Sequence, residues 1–117
     1  MIAGVGVDVV DIARFERQLE RTPALRDRLF AESERDRKAH SLAGRFAAKE
    51  AFIKALGGPA FVRWHDMRLV QDADGRPSFE CSGAVAQHLA EHGLRVHVSM
   101  SHDAGIATAF VVVEEDR

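Results

Sequence analysis

The sequence predicts an α+β fold: a mostly antiparallel sheet with helices packed on one face. Three observations carry that prediction. The chain opens on a β-rich run and closes on two β-rich runs joined by a tight turn. Between them lies a long alanine-rich helical region that ends at Gly57-Gly58-Pro59.

The opening run, Ile2 to Val10, contains two glycines and reads as a strand, the glycines allowing close backbone approach within the sheet. Asp11 is placed to cap a helix over Ile12 to Arg21. Thr22-Pro23 reads as a cap with a first-turn proline, opening a second short helix to about Phe30. Ser33 with Asp36 forms a loose capping-box pattern. The long helical region that follows has a candidate break near His40-Ser41 and reaches Leu56. Leu42, Phe46, Ile53 and Leu56 repeat on its 3.6-residue period.

The second half changes character. Met67 to Gln71 reads as a strand, Asp74-Gly75 as a turn and Ser78 to Cys81 as the return strand. Ser82 can cap a helix over Gly83 to Glu91, closed by Gly93. Val96, Val98 and Met100 alternate with His97 and Ser99, the pattern of a half-buried strand. Ile106 to Val113 is nearly continuous apolar, as a central strand is. The short Ser101 to Gly105 connection predicts that these two strands pair antiparallel.

Composition narrows the classes. At 117 residues the chain suits one domain over residues 1–117, and 46% apolar residues supply a core. A domain of this size gains from oligomerisation. The single cysteine, Cys81, permits no internal disulfide and points to a reducing, cytoplasmic setting. No apolar run reaches the roughly 20 residues of a membrane span, and the start lacks the pattern of a signal peptide. A net charge of −2 argues against generic nucleic-acid binding. From Arg14 to Arg45, however, nine Lys/Arg stand against six Asp/Glu. A locally basic segment on a mildly acidic chain points to a specific acidic partner.

Four groups of residues carry candidate chemistry. Asp8 follows Gly4-Val5-Gly6-Val7 at a strand end; taken alone it is a turn or cap aspartate, and the missing third glycine excludes a dinucleotide fingerprint. Arg45 with Lys49, and Glu50 with Lys54, are helical neighbours that on spacing alone form solvated charge pairs. Glu50, however, lies on a helix that reads as largely buried, where an acid needs a partner or a metal. Ser99 to Asp103 is ordinary turn chemistry, with no Gly-x-Ser-x-Gly elbow for a serine nucleophile. His88 and His92 lack the glutamate of a His-Glu-x-x-His zinc motif. Arg14, Arg17 and Arg21 share one helical face, suited equally to solvation beside Glu16 and Glu20 or to docking.

Taken together, these segments resemble the holo-acyl-carrier-protein synthases, the small type of 4′-phosphopantetheinyl transferase. The stretches that carry the resemblance are Gly4 to Ile12 with Arg14-Phe15, Leu42 to Ala51 through Lys54-Ala55-Leu56-Gly57, and Val96 to Ser99 through Ser101-His102-Asp103. They occur in family order over essentially the whole chain. The Ser-His-Asp form and the Ala-Gly-Ile-Ala after it look most like actinobacterial members.

The resemblance implies a reaction. A serine hydroxyl of apo-acyl carrier protein attacks the β-phosphate of coenzyme A, phosphopantetheine moves to the serine, and 3′,5′-ADP leaves. By position, Asp8 and Glu50 match the family's magnesium ligands, and Lys54 a lysine near the reacting phosphates. Arg45 and His102, with Lys49 and Ser101, match contacts to the nucleotide part of coenzyme A. For the serine proton two bases stand open: Glu50, directly or through a metal-bound water, and Asp103 beside His102. Arg14 matches a docking contact to the acidic carrier protein, with Arg17 and Arg21 on the same face. The family forms homotrimers with active sites between subunits. A coenzyme-binding trimer without transfer activity and a purely structural α+β protein are the competing readings. Whether fatty-acid carriers, polyketide carriers or both are served is left open.

Overall fold

In the computed structural model, which describes residues 1–116, the long helix lies across one face of a three-stranded sheet. The strands are β1 (Ile2–Asp11), β4 (Leu94–Asp103) and β5 (Ile106–Glu115), in spatial order β1-β5-β4, all antiparallel. The helices are α1 (Ile12–Arg21), α2 (Ala24–Leu29), α3 (Ala39–Ala55) and α4 (Gly83–His92). β2 (Met67–Gln71) and β3 (Pro77–Cys81) form a separate antiparallel hairpin beside them. The expected fold class therefore holds.

β5 is central because its inward side, Ala107, Ala109, Val111 and Val113, is fully apolar and essentially buried. Small alanines at the end near Ala107 let α3 settle onto the sheet, and α3 answers with buried Ala43, Ala47, Ala48, Ala51 and Ala55. The approach is closest at β1. A Cβ added to Gly4 would lie 2.0 Å from the Ala55 carbonyl oxygen, and one added to Gly6 would lie 1.9 Å from that of Ala51. The expectation that these glycines serve contacts within the sheet is thus corrected: they let a helix backbone touch a strand.

Element ends follow the local chemistry with several corrections. Thr22 does not cap α2: it closes α1, its amide donating to the Gln18 carbonyl at 3.0 Å, and Pro23 takes the N-cap position of α2 with no side-chain cap. Asp11 caps α1 as expected, its Oδ1 accepting from the Arg14 amide at 2.9 Å. The Ser33–Asp36 capping box does not form; a 3-10 turn spans Glu32–Glu34, and Glu34 Oε1 accepts from the Ala31 amide at 3.0 Å. α3 starts at Ala39 and runs unbroken through His40-Ser41. Ser82 precedes α4 but makes no side-chain cap; its hydroxyl donates to Asp66 Oδ1 at 3.2 Å. β4 and β5 extend further than expected, leaving a two-residue turn. Ala104 and Gly105 both take positive φ, 51° and 78°, as a tight hairpin matched to the strand twist requires.

The face of the sheet opposite α3 is uncovered. Val5, Val7 and Val9 of β1 alternate outward at 54, 54 and 62% exposure, and Phe110 of β5, opposite Val7, is 48% exposed. In water, so contiguous an apolar face calls for a partner.

Candidate functional site

Asp8 reaches its neighbours through the register of β1 against α3. Gly4 meets Ala55 and Gly6 meets Ala51, so two residues along the strand match four along the helix. The next inward position, Asp8, therefore falls beside the helical turn that carries Glu50. Both residues line one cleft, together with Arg14, Phe15, Gln18 and Phe46. Lys54 Nζ donates to Asp8 Oδ1 at 3.1 Å and to the Val7 carbonyl at 3.0 Å. The Thr108 hydroxyl donates to the Asp8 carbonyl at 2.9 Å and fixes the strand there. Burial pushes the Glu50 carboxyl above the usual carboxylate range, the charge of Asp8 adds to this, and Lys54 opposes it. Two carboxylates that resist sharing one site invite a cation.

Their chemistry suits magnesium. Among the described residues no third His, Cys, Asp or Glu joins them in a metal cage. Magnesium is held in the same way by one or two carboxylates, with waters and substrate phosphates completing its shell.

A second cleft opens on the other side of α3. His40, Ser41, Gly44 and Arg45 form one wall, Leu69, Gln71 and Pro77 of the hairpin region another, and Met100, Ser101 and His102 of β4 the third. It brings together Arg45, Ser101 and His102 and shares no lining residue with the Asp8–Glu50 cleft. Arg45 is anchored through Nη1, which donates to the Leu69 carbonyl at 2.5 Å and to Glu34 Oε2 at 3.3 Å. Burial, then the nearby Arg37, pull the Arg45 guanidinium below its ordinary value, while Glu34 raises it.

Lys49 corrects the expectation drawn for it. Its side chain is 0% exposed and its Nζ donates to Glu34 Oε1 at 2.7 Å, the Leu29 carbonyl at 2.8 Å and the Trp64 carbonyl at 3.3 Å. A fully enclosed ammonium with three partners does not reach a nucleotide. The solvated-pair reading of Arg45 and Lys49 fails for the same reason, since Arg45 is only 2% exposed.

Glu34 is the residue that sequence reasoning missed. It is 1% exposed and accepts from Lys49, Arg45 and the amides of Ala31 and Leu69. The available signal was two cations on one face of an alanine-rich helix, which need a carboxylate from elsewhere once buried.

Asp103 stands outside both clefts; its Oδ1 accepts from the Ala104 amide at 2.9 Å and so belongs to its own hairpin turn. Arg14, Arg17 and Arg21 are exposed on α1, whose opposite side buries Phe15 and Leu19. Arg14 lines the Asp8–Glu50 cleft, and Arg21 lines a groove that also reaches Glu50. Among the described residues, no helix is long and apolar enough to cross a membrane.

With this geometry in place, comparison with known proteins gives one consistent result. Residues 4–111 match the model of the 4′-phosphopantetheinyl transferase superfamily. A holo-[acyl-carrier-protein] synthase of Leifsonia xyli subsp. xyli is 64% identical, the match covering 99% of both chains. One from Salinispora arenicola is 55% identical over 97% of this chain and 99% of its own. Among solved structures, an ACPS–CoA complex from Chronobacterium ammoniagenes superimposes with a TM-score of 0.84 at 34% identity, covering 97% of this chain and 98% of that one. The holo-[acyl-carrier-protein] synthase of Neisseria meningitidis does so with 0.90 at 34% identity, covering 98% and 100%.

Proposed function

This chain belongs to the 4′-phosphopantetheinyl transferase superfamily, and from that premise we propose the following account of its reaction and site. It is a holo-[acyl-carrier-protein] synthase that transfers 4′-phosphopantetheine from coenzyme A to a serine of apo-acyl carrier protein in fatty acid biosynthesis. The bond formed joins the serine oxygen to the β-phosphorus. The bond broken is the pyrophosphate bridge, whose oxygen leaves with the electron pair as 3′,5′-ADP.

The observation that carries the site assignment is Asp8 and Glu50 in one cleft with Lys54 at 3.1 Å from Asp8. We assign magnesium to these two carboxylates; when bound, it supplies charge neutralisation and Lewis-acid polarisation of the pyrophosphate. Lys54, tethered by the Val7 carbonyl, adds a fixed cation near developing negative charge. Glu50 is the base we assign to the serine proton, directly or through a metal-bound water, because it lies in the reacting cleft beside Asp8. Asp103 is the weaker candidate, because its carboxylate is engaged by its own turn. Arg14, Arg17 and Arg21 present a basic face to the acidic carrier, beside the cleft its serine must enter.

Arg45, Ser101 and His102 in the second cleft hold the nucleotide part of coenzyme A. The two clefts share no lining residue, so one coenzyme molecule spans them most simply when the second is supplied by a neighbouring copy. The uncovered face of Val5, Val7, Val9 and Phe110 favours the same arrangement. The assembly we propose is a homotrimer of one-domain chains, residues 1–117, with sites between subunits, working in the cytoplasm.

One experiment tests the activity. The protein is incubated with apo-acyl carrier protein, coenzyme A and magnesium, and the carrier is weighed by mass spectrometry. A carrier that gains one phosphopantetheine unit supports the transferase; no gain with any plausible carrier refutes it. Light scattering that returns a monomer refutes the shared site.

A further inference from the structure

One histidine pair lies outside both clefts. His88 and His92 stand one turn apart toward the C-terminal end of α4, with ring centroids 4.4 Å apart and ring planes at 37°. Phe61, on the connection between α3 and β2, packs against His88 with its centroid 5.0 Å away. His88 is half-buried and His92 is exposed. His92 Nδ1 lies 3.0 Å from the His88 carbonyl oxygen. A carbonyl only accepts, so Nδ1 carries the proton and Nε2 of the neutral ring keeps its lone pair. One ring nitrogen tied to a backbone carbonyl, the other free, is how proteins orient a metal-binding imidazole. Among the described residues the His88 ring makes no hydrogen bond; its contacts are the two rings beside it.

Helix capping accounts for His92 Nδ1, and packing accounts for the His88 ring. Neither uses the free nitrogens, and their chemistry selects a ligand. Two imidazoles at i and i+4 on one helical face form a chelate for zinc and its neighbours. At tetrahedral zinc the two nitrogens stand about 3.3 Å apart, from bonds of about 2.0–2.1 Å. Rotation of the His88 ring, which has no hydrogen bond to lose, adjusts the pair to that span. Neutral imidazole suits zinc, copper and nickel, whereas magnesium takes oxygen ligands such as Asp8 and Glu50. The negative end of the α4 dipole favours a cation here as well. Glu91 is not a third ligand, since its carboxylate accepts from Gln87 at 3.0 Å. Among the described residues no other acid, thiol or histidine joins the pair, so water completes the shell.

We propose that His88 and His92 form a second cation site, separate from the carboxylate cleft, for a late first-row divalent ion of the zinc and copper class. The bound ion clamps the last turn of α4. Through His88 against Phe61 it also braces the connection that leaves α3.

The test titrates zinc calorimetrically into the full chain in excess magnesium, for the wild type, His92→Gln and His88→Phe. His88→Phe keeps a ring against Phe61, so a loss there belongs to the nitrogen and not to packing. Each substitution should weaken zinc binding at least about tenfold, since loss of a supporting hydrogen bond alone costs a metal site roughly 10–100-fold. Zinc should raise the melting temperature of the wild type and leave both variants where they were. With copper as the probe, electron paramagnetic resonance should show two coupled imidazole nitrogens in the wild type and one in either variant. Transfer measured in magnesium should be unchanged in both variants. Zinc binding that survives both substitutions, or a copper signal without the second nitrogen in the wild type, would overturn the site. A melting temperature indifferent to zinc would overturn the clamp. A parallel loss of transfer would overturn the separation of the two cation sites.

Discussion

Glu34 Oε1 stands 2.7 Å from Lys49 Nζ, with side-chain exposures of 1% and 0%. The same carboxylate serves Arg45, so one buried anion holds two buried cations and pins the 3-10 turn to α3 and β2. Removing it strands both. Glu34→Ala should cost about 3–5 kcal/mol in urea unfolding, as loss of one partner from a buried pair does. Lys49→Met leaves Glu34 with Arg45, one charge against one, and should cost less. The reverse order would show that Glu34 does not hold the network together.

The contact of β1 with α3 makes a sharper stability prediction. At Gly6 an added methyl meets the Ala51 carbonyl at 1.9 Å, where both partners are backbone; at Gly44 it meets only the flexible end of Met100 at 3.0 Å. Gly6→Ala should therefore lose about 3 kcal/mol or more, the upper range for overpacking. Gly44→Ala should fall within about 1 kcal/mol of wild type, helped by the helix preference of alanine. Thermal unfolding of the two variants checks this, and a tolerated Gly6→Ala would refute the close approach.

Glu50 separates function from stability. Glu50→Gln should lower the rate of transfer by at least about 10²-fold, the usual contribution of a positioned base. With magnesium removed by a chelator, the same variant should melt at or above the wild-type temperature, because it relieves the crowding of Glu50 against Asp8 and its burial cost. Asp103→Asn keeps the turn acceptor and should transfer at close to the wild-type rate. A dead Asp103→Asn beside an active Glu50→Gln would exchange their roles.

Cys81 provides a pH-dependent readout. Burial, and next the charge of Asp66, push its thiol from the ordinary 9.0 up to about 11. At pH 8 the folded chain then holds roughly a hundredfold less thiolate than an ordinary cysteine, and iodoacetamide should label it far more slowly than the urea-unfolded chain. Between pH 9 and 11 the unfolded chain sheds a proton that the folded chain keeps, so stability falls as pH rises across that window. Cys81→Ala should remove this component of the slope in melts at pH 9, 10 and 11.

Strand alternation, the Asp11 cap and the Gly57-Gly58-Pro59 stop were legible in the sequence because each is decided by residues within a few positions. The long hairpin was legible in kind but not in length, since the strand character of Ser101 to Asp103 comes from pairing with Ala107, Ile106 and their neighbours on β5. Asp8 and Glu50 could be paired only through resemblance. Their proximity depends on the glycine-mediated register between β1 and α3, which no local pattern encodes. The burial of Lys49 is not legible for a related reason: an i, i+4 partner to Arg45 looks solvated until the segment carrying Glu34 closes over both.

The arginines of α1 make the last prediction. Phe15 and Leu19 are buried beneath α1, which holds its other side outward and turns Arg14, Arg17 and Arg21 to solvent. Charges so exposed act mainly on encounter with an acidic partner, and salt screens them over about 8–10 Å. Added salt should therefore lower kcat/KM for the carrier protein while moving KM for coenzyme A far less. Arg14 lines the reacting cleft, so Arg14→Glu should lower kcat/KM for the carrier by roughly tenfold or more, equivalent to about 1.4 kcal/mol. Arg17→Glu, set back from the cleft, should cost less. Stopped-flow association of carrier protein at two ionic strengths measures the encounter directly. An association rate indifferent to both salt and Arg14→Glu would remove α1 as the docking face.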